Sequence, residues 1–193
     1  MTHEELKKLD QAYTMQTYGR FDVDIDHGKG AALYDLSGKE YIDFTSGIGV
    51  CSIGYADPRW VEAISAQAAR LAHVSNLFYT QPYAKLAKTL CTRSGMAAAF
   101  FANSGAESNE GLIKLARKYS FARYGKGRGT ILTLKNSFHG RTISTLTATG
   151  QDVFHNYFFP FDEGFRYAQA GDMDSLQSAA GHDVCAVLLE LVQ

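Results

Sequence analysis

A serine-glycine turn separates an apolar run from a long helical pattern. The run Ala97–Phe101 leads into Ser104, Gly105 and Ala106, and the helical pattern continues to residue 124. Because continuous apolar runs are typical of strands covered on both faces, we predict a strand here. Ligands of open α/β sheets bind beyond the carboxyl ends of strands, and a helix N-terminus there offers N–H groups to a phosphate. The turn is therefore a candidate phosphate site, and the pattern equally suits Ser104 as an ordinary helix N-cap.

A second polar loop follows the next predicted strand, Thr130–Leu134, and contains Phe138 and Arg141. A flat aromatic side chain can stack on a heteroaromatic ring, and an arginine can bind a carboxylate through a bidentate fork. If the carboxyl ends of the two strands converge, phosphate, ring and carboxylate recognition together describe a cofactor and an amino acid. Residue type alone leaves core packing open for Phe138 and a surface ion pair open for Arg141.

The elements that must position these loops belong to an α/β fold. From residue 96 onward apolar runs alternate with helical patterns and end in the run Val184–Val192. This alternation predicts a mostly parallel sheet flanked by helices. A helix predicted to start at Pro82 would bury Leu86 and Leu90.

The first part of the chain predicts a helix and a hairpin segment. Thr2 and Glu5 have the spacing of a capping box, which predicts an opening helix. Residues 31–44 predict two short strands around a Ser-Gly turn. Asp57 followed by proline predicts the start of a further helix, running to about His73.

Composition excludes several classes of function. The 193 residues can bury a core of ordinary size. Lys plus Arg (19) nearly balance Asp plus Glu (20), and the net charge of -1 gives no long-range attraction for nucleic acid or an anionic membrane, so a small-molecule substrate is favoured. Three widely spaced cysteines without a CxxC favour reduced thiols and no metal site. A charged N-terminus without an apolar h-region predicts a cytoplasmic protein.

Several longer motifs make the sequence recognisable. The strings F-F-A-N-S-G-A-E-S-N-E, S-F-H-G-R-T and T-A-T-G-Q are joined upstream by G-K-G-A-A-L-Y-D-L-S-G-K-E-Y-I-D-F and S-N-L-F-Y-T-Q-P. From about Tyr18 to Gln193 the chain resembles the class III aminotransferases, which are pyridoxal 5'-phosphate (PLP) enzymes of fold type I. Within this family the motifs are most similar to the acetylornithine type, with succinylornithine, ornithine and 4-aminobutyrate enzymes as alternatives.

The resemblance implies a role for each candidate residue. The backbone of Gly105 and Ala106, with Ser104, is implied to bind the cofactor phosphate. Phe138 is implied to stack on the pyridine ring, and Arg141 to bind the substrate's α-carboxylate. The lysine that forms the Schiff base, and the aspartate that pairs with the pyridine nitrogen, are expected beyond Gln193, so the 193-residue segment alone is predicted inactive.

The resemblance also implies how the protein is organised. Residues 1–60 correspond to the N-terminal segment of a small domain with its connection, and residues 61–193 to the first part of the large PLP-binding domain. Its expected substrates are an amino acid, N-acetylornithine or a similar donor, and 2-oxoglutarate, in arginine biosynthesis, and its expected state is a homodimer. A non-catalytic remnant of such an enzyme is the alternative from another class. A Rossmann dehydrogenase is disfavoured because no G-x-G-x-x-G follows the first strand of the predicted sheet.

Overall fold

The chain forms two compact units in a computed structural model that describes residues 1–193. The first unit is Met1–Tyr79 and the second is Thr80–Gln193. The predicted division at residue 60 concerns the domains of a whole aminotransferase and stays a prediction. Every helix of the structure falls short of the length or the hydropathy that crossing a bilayer requires.

The first unit combines helical segments with a three-stranded antiparallel sheet of order β1-β2-β3. Its elements are α1 His3–Tyr13, β1 His27–Lys29, β2 Ala32–Tyr34, β3 Glu40–Ile42, α2 Ser46–Gly49 and α3 Pro58–Arg70. The pairing of β2 with β3 confirms the predicted hairpin. Strand β1 lies before the predicted hairpin segment, residues 31–44, and extends the hairpin by pairing with β2.

The helix starts of this unit follow from their caps. The Thr2 hydroxyl accepts from the N–H of Glu5 at 3.3 Å, and the Glu5 carboxylate accepts from the N–H of Thr2 at 2.8 Å. This reciprocal pair is the predicted capping box. Asp57 caps α3 as predicted, by accepting from the N–H of Arg59 at 3.0 Å. Helix α3 ends at Arg70, short of the predicted end near His73, because Leu71 is extended.

The short segment α2 winds in the left-handed sense. Ser46 (φ 49°), Gly47 (φ 59°), Ile48 (φ 57°) and Gly49 (φ 78°) all have positive φ, which costs non-glycine residues energy. The neighbouring Asp43 carboxylate is held by hydrogen bonds from the Thr45 hydroxyl at 2.6 Å and the Tyr55 hydroxyl at 2.6 Å. Because these bonds favour the ionised carboxylate, they lower the pKa of Asp43 to about 2.

The second unit is built around a parallel sheet of order β5-β4-β6, which confirms the predicted sheet type. Its elements are α4 Gln81–Ser94, α5 Gly105–Tyr124, β4 Thr130–Leu134, α6 Ile143–Ala148, β5 Phe165–Ala168, α7 Met173–Ala179 and β6 Val184–Val187. A single 3-10 turn, Asp152–Phe154, follows α6.

The core of the second unit surrounds the central strand β4. Ile131 and Leu132 are each only 1 % exposed. Ile113 from α5 and Leu146 from α6 are also buried. Each fully buried side chain of this size contributes about 1.5–3 kcal/mol to folding. The sheet and its two helices therefore form a firm base for the loop that joins β4 to α6.

Three expectations about this unit are wrong. Residues 97–101 do not form a strand, because a strand requires a backbone partner and none of the three sheet strands pairs with this run. The strand at the end of the chain stops at Val187, before the end of its apolar run. Leu86 and Leu90 on α4 are 49 % and 44 % exposed, so helical periodicity identified an apolar face that this chain leaves uncovered.

Candidate active site

The N-terminus of α5 has the properties of an anion site. The first backbone bond of the helix runs from the N–H of Ser108 to the carbonyl of Ser104 at 3.0 Å. The N–H groups of Gly105 and Ala106 precede it and have no intrahelical acceptor. An added Cβ on Gly105 would meet no atom within 4 Å, so the turn is open on that side. The dipole of a 20-residue helix adds positive potential here, which suits a phosphate.

Ser104 is the N-cap of α5. Its hydroxyl oxygen accepts from the N–H of Glu107 at 3.1 Å. This bond confirms the interpretation of Ser104 as an ordinary helix N-cap. A hydroxyl has one donor in addition to its acceptor lone pairs, so the cap leaves its proton available. Capping and phosphate binding by Ser104 are therefore compatible.

The loop between β4 and α6 lies directly against this helix start. The Asn109 side-chain amide donates to the carbonyl of His139 at 2.8 Å, and the Thr142 hydroxyl donates to Glu110 at 2.6 Å. A Cβ built on Gly140 would lie 3.0 Å from the Cα of Ala106. The predicted convergence of the two loops is thus observed, although residues 97–101 are not a strand.

His139 forms the buried centre of this loop. It is 4 % exposed, and its Nε2 is 2.9 Å from the Thr133 hydroxyl. Its backbone N–H donates to the Thr149 hydroxyl at 2.9 Å. Burial lowers the pKa of His139, with an opposing effect from the Glu190 carboxylate. A neutral histidine packed into the protein fixes the loop, while Phe138 and Arg141 on either side remain exposed to solvent.

A third aromatic ring links the two exposed side chains. The rings of Phe138 and Phe154 meet edge to face with centroids 6.0 Å apart. The guanidinium carbon of Arg141 lies 5.9 Å from the centroid of the same Phe154 ring. Sequence reasoning missed Phe154, because nothing in its local pattern distinguishes it among 12 phenylalanines.

The residues that follow β6 lie against the loop that follows β4. The Gln193 side-chain amide donates to the carbonyl of Asn136 at 2.7 Å, and Glu190 is close enough to influence the pKa of His139. The carboxyl ends of the parallel strands β4 and β6 therefore meet where ligands bind in open α/β sheets. Lys135, the lysine at the end of β4, is exposed to solvent.

Comparison with known proteins agrees with this arrangement. Residues 13–193 match the family described as aminotransferase class-III. The chain belongs to this family. Among the relatives of this chain is the acetylornithine aminotransferase of Haemophilus ducreyi. It is 56 % identical over 194 residues, and the alignment covers 100 % of this chain and 49 % of the relative. The acetylornithine aminotransferase of Methanocaldococcus jannaschii is 45 % identical over 193 residues, covering 100 % of this chain and 48 % of the relative.

A solved structure gives the same result for the fold. The ornithine aminotransferase of Toxoplasma gondii ME49 superposes with a TM-score of 0.94 at 29 % identity, over 100 % of this chain and 46 % of that one. The predicted fold type I is confirmed. This chain spans about half the length of the relatives that it matches.

The cofactor of this family is PLP, which confirms the predicted cofactor. The residues present fit the group, because the open N–H pair of Gly105 and Ala106 suits its phosphate and the exposed Phe138 ring suits its pyridine. The class-III family requires an amino-acid and a 2-oxo-acid substrate, and both carry the carboxylate that an exposed Arg141 is able to bind.

Proposed function

We propose that the complete protein transfers an amino group between N-acetylornithine and 2-oxoglutarate, in the biosynthesis of arginine. The observation that carries the amino-transfer part of this proposal is the match of residues 13–193 to the class-III family. The hydrogen bond from Asn109 to the carbonyl of His139 supports it, because it holds the start of α5 against the loop of Phe138 and Arg141. The names of the relatives from Haemophilus ducreyi and Methanocaldococcus jannaschii support N-acetylornithine as the donor.

Each candidate residue has a distinct role in this proposal. The N–H groups of Gly105 and Ala106 and the hydroxyl of Ser104 bind the cofactor phosphate. Phe138 stacks on the pyridine ring. Arg141 binds the α-carboxylate of N-acetylornithine and the distal carboxylate of 2-oxoglutarate, since these two groups lie at similar distances from the reacting carbon. When bound, PLP would supply an electron sink for the C–H bond that breaks at the amine-bearing carbon of the substrate, which in N-acetylornithine is the terminal carbon. Buried His139 keeps the loop in place and takes no part in proton transfer.

The remaining machinery belongs to the part of the relatives' length that this chain does not span. We propose that the lysine that binds the cofactor lies there, together with the aspartate that faces the pyridine nitrogen. The complete enzyme is proposed to be a cytoplasmic homodimer, and the 193 residues alone are proposed to be inactive.

The proposed substrate and the role of Arg141 are tested together by kinetics of the complete enzyme. N-acetylornithine is expected to give the highest kcat/KM among N-acetylornithine, N-succinylornithine, ornithine and 4-aminobutyrate, each with 2-oxoglutarate. Replacing Arg141→Ala removes a charged bidentate contact, so the KM for N-acetylornithine and for 2-oxoglutarate should each rise roughly 10- to 100-fold.

The matched control is Arg123→Ala, at an exposed arginine in the last turn of α5, which should leave both KM values unchanged. If another amino donor gives a higher kcat/KM, that donor and not N-acetylornithine is the substrate of the enzyme. An unchanged KM in Arg141→Ala would remove Arg141 from substrate binding.

A further inference from the structure

The ring of Phe154 lies between two side chains with different proposed tasks. It meets Phe138 edge to face, with centroids 6.0 Å apart and planes at 62°, and it lies 5.9 Å from the guanidinium carbon of Arg141. Edge-to-face aromatic pairs and guanidinium groups near a ring are both favourable arrangements. One side chain therefore contacts both the proposed cofactor-stacking ring and the proposed carboxylate-binding group.

Phe154 is itself firmly positioned by its neighbours in the chain. On one side the Gln151 side-chain amide donates to the carbonyl of Ser137 at 3.0 Å, and the N–H of Gly150 donates to the Ser137 hydroxyl at 3.2 Å. On the other side His155 Nε2 is 2.9 Å from the carbonyl of Leu146 in α6. Because both flanks are hydrogen-bonded, the backbone at Phe154 is held in place, and its ring is only partly exposed.

The contacted side chains need such a support. Phe138 is 41 % exposed and Arg141 is also exposed, so both side chains lie at the surface of the unit and outside its core. Side chains in functional sites must keep their productive geometry to within a fraction of an ångström, and neighbouring groups provide this restriction. A fixed aromatic ring beside both side chains meets this requirement.

We propose that Phe154 is a positioning residue, which sets the distance between the proposed ring-stacking group Phe138 and the proposed carboxylate-binding group Arg141. This inference rests on the proposed function. Phe154 acts through the two side chains and contacts neither substrate nor cofactor. The aromatic face is the property that matters, since an aliphatic side chain of similar volume offers no negative ring face to a guanidinium.

The substitution Phe154→Leu in the complete enzyme tests this proposal, because it keeps apolar volume and removes the ring. The KM for 2-oxoglutarate and for the amino donor is expected to rise roughly 3- to 5-fold, with kcat within about twofold of wild type. The same substitution in an Arg141→Ala background should change KM by less than about twofold, because the contact that it removes is already absent. The matched control is Phe121→Leu, at a 59 % exposed phenylalanine on α5, which should behave as wild type.

A second measurement follows the contact with Phe138. The dissociation constant of pyridoxal phosphate should rise roughly threefold to tenfold in Phe154→Leu, and this rise should disappear in a Phe138→Ala background. Wild-type KM and cofactor affinity in Phe154→Leu would overturn the proposal. So would losses that persist unchanged in both backgrounds, which indicate a general effect on the fold. If Arg141→Ala alone leaves KM unchanged, the proposed function fails at Arg141, and the cofactor measurement still decides whether Phe154 positions Phe138.

Discussion

At the scale of single residues, Gly140 is a tightly constrained position of the site. Its φ of 132° is unfavourable for any residue with a side chain, and an added Cβ would lie 2.6 Å from the Thr145 hydroxyl and 2.7 Å from the Cβ of Ala106. We expect Gly140→Ala to lower the free energy of unfolding by roughly 2 to 4 kcal/mol, by adding backbone strain to overpacking. Urea denaturation of the complete protein measures this change.

The control for Gly140→Ala is Gly127→Ala. Gly127 also has a positive φ, 93°, and its added Cβ would meet no atom within 4 Å. It therefore reports the cost of backbone strain without overpacking, and should be clearly less destabilised. Equal losses in the two variants would show that the close approach of Gly140 to α5 is unimportant for stability.

At the scale of elements, α1 is held against the segment of Asp22 and Asp24 by His3, which lies between these two carboxylates. His3 Nδ1 is 2.7 Å from Asp24 and Nε2 is 2.9 Å from Asp22, and Lys7 contacts Asp22 at 2.6 Å. Glu4 is a further charged group nearby, 3.9 Å from Lys7. The pair Asp10 and Arg20 lines the same pocket as His3. Only a protonated imidazole donates from both nitrogens, and the Asp22 hydrogen bond accordingly raises the pKa of His3 above its usual 6.5.

The pH dependence of this fastening follows from the direction of that shift. The stabilisation of α1 is fully present below about pH 6.5 and is lost as the pH rises through the folded-state pKa of His3. We expect proteolysis within α1 to be faster at about pH 9 than at about pH 6, after correction for protease activity. In His3→Gln, which keeps a polar side chain without a titrating group, the difference should vanish. An NMR titration that places the His3 pKa at or below 6.5 would contradict this account.

At the scale of the whole molecule, large apolar side chains remain exposed in both units. Phe21 and Phe44 in the first unit and Tyr157 and Leu191 in the second are each 92 % exposed. Because exposed apolar surface of this extent drives association, we expect the 193 residues expressed alone to self-associate. Light scattering should report a mass above 21.2 kDa that grows with concentration. Replacing Tyr157 and Leu191 with lysine should reduce this growth. A monodisperse monomer with one cooperative unfolding transition would contradict the prediction.

Local signals in the sequence were sufficient for several helix starts, including the start of α5 at the candidate site. The capping pair Thr2 and Glu5, the Asp57 cap and the start of α5 are all present where their patterns predict them. Caps and apolar runs act over a few residues, so a single stretch of sequence contains the information. The missing strand at residues 97–101 shows the limit, since strand formation depends on a backbone partner from elsewhere in the chain.

The sequence by itself determined the family of this protein and the chemistry that we propose for it, because its motifs contain a Ser-Gly turn, an aromatic residue and an arginine in fixed order. Only the tertiary structure decided how these groups meet. The hydrogen bonds from Asn109 to His139 and from Thr142 to Glu110 join segments some 30 residues apart. Helix α6 lies between Arg141 and Phe154 in the chain, and its packing brings Phe154 back to Phe138 and Arg141. Such contacts depend on the packing of α5 and α6 around the sheet, and no local pattern encodes that packing.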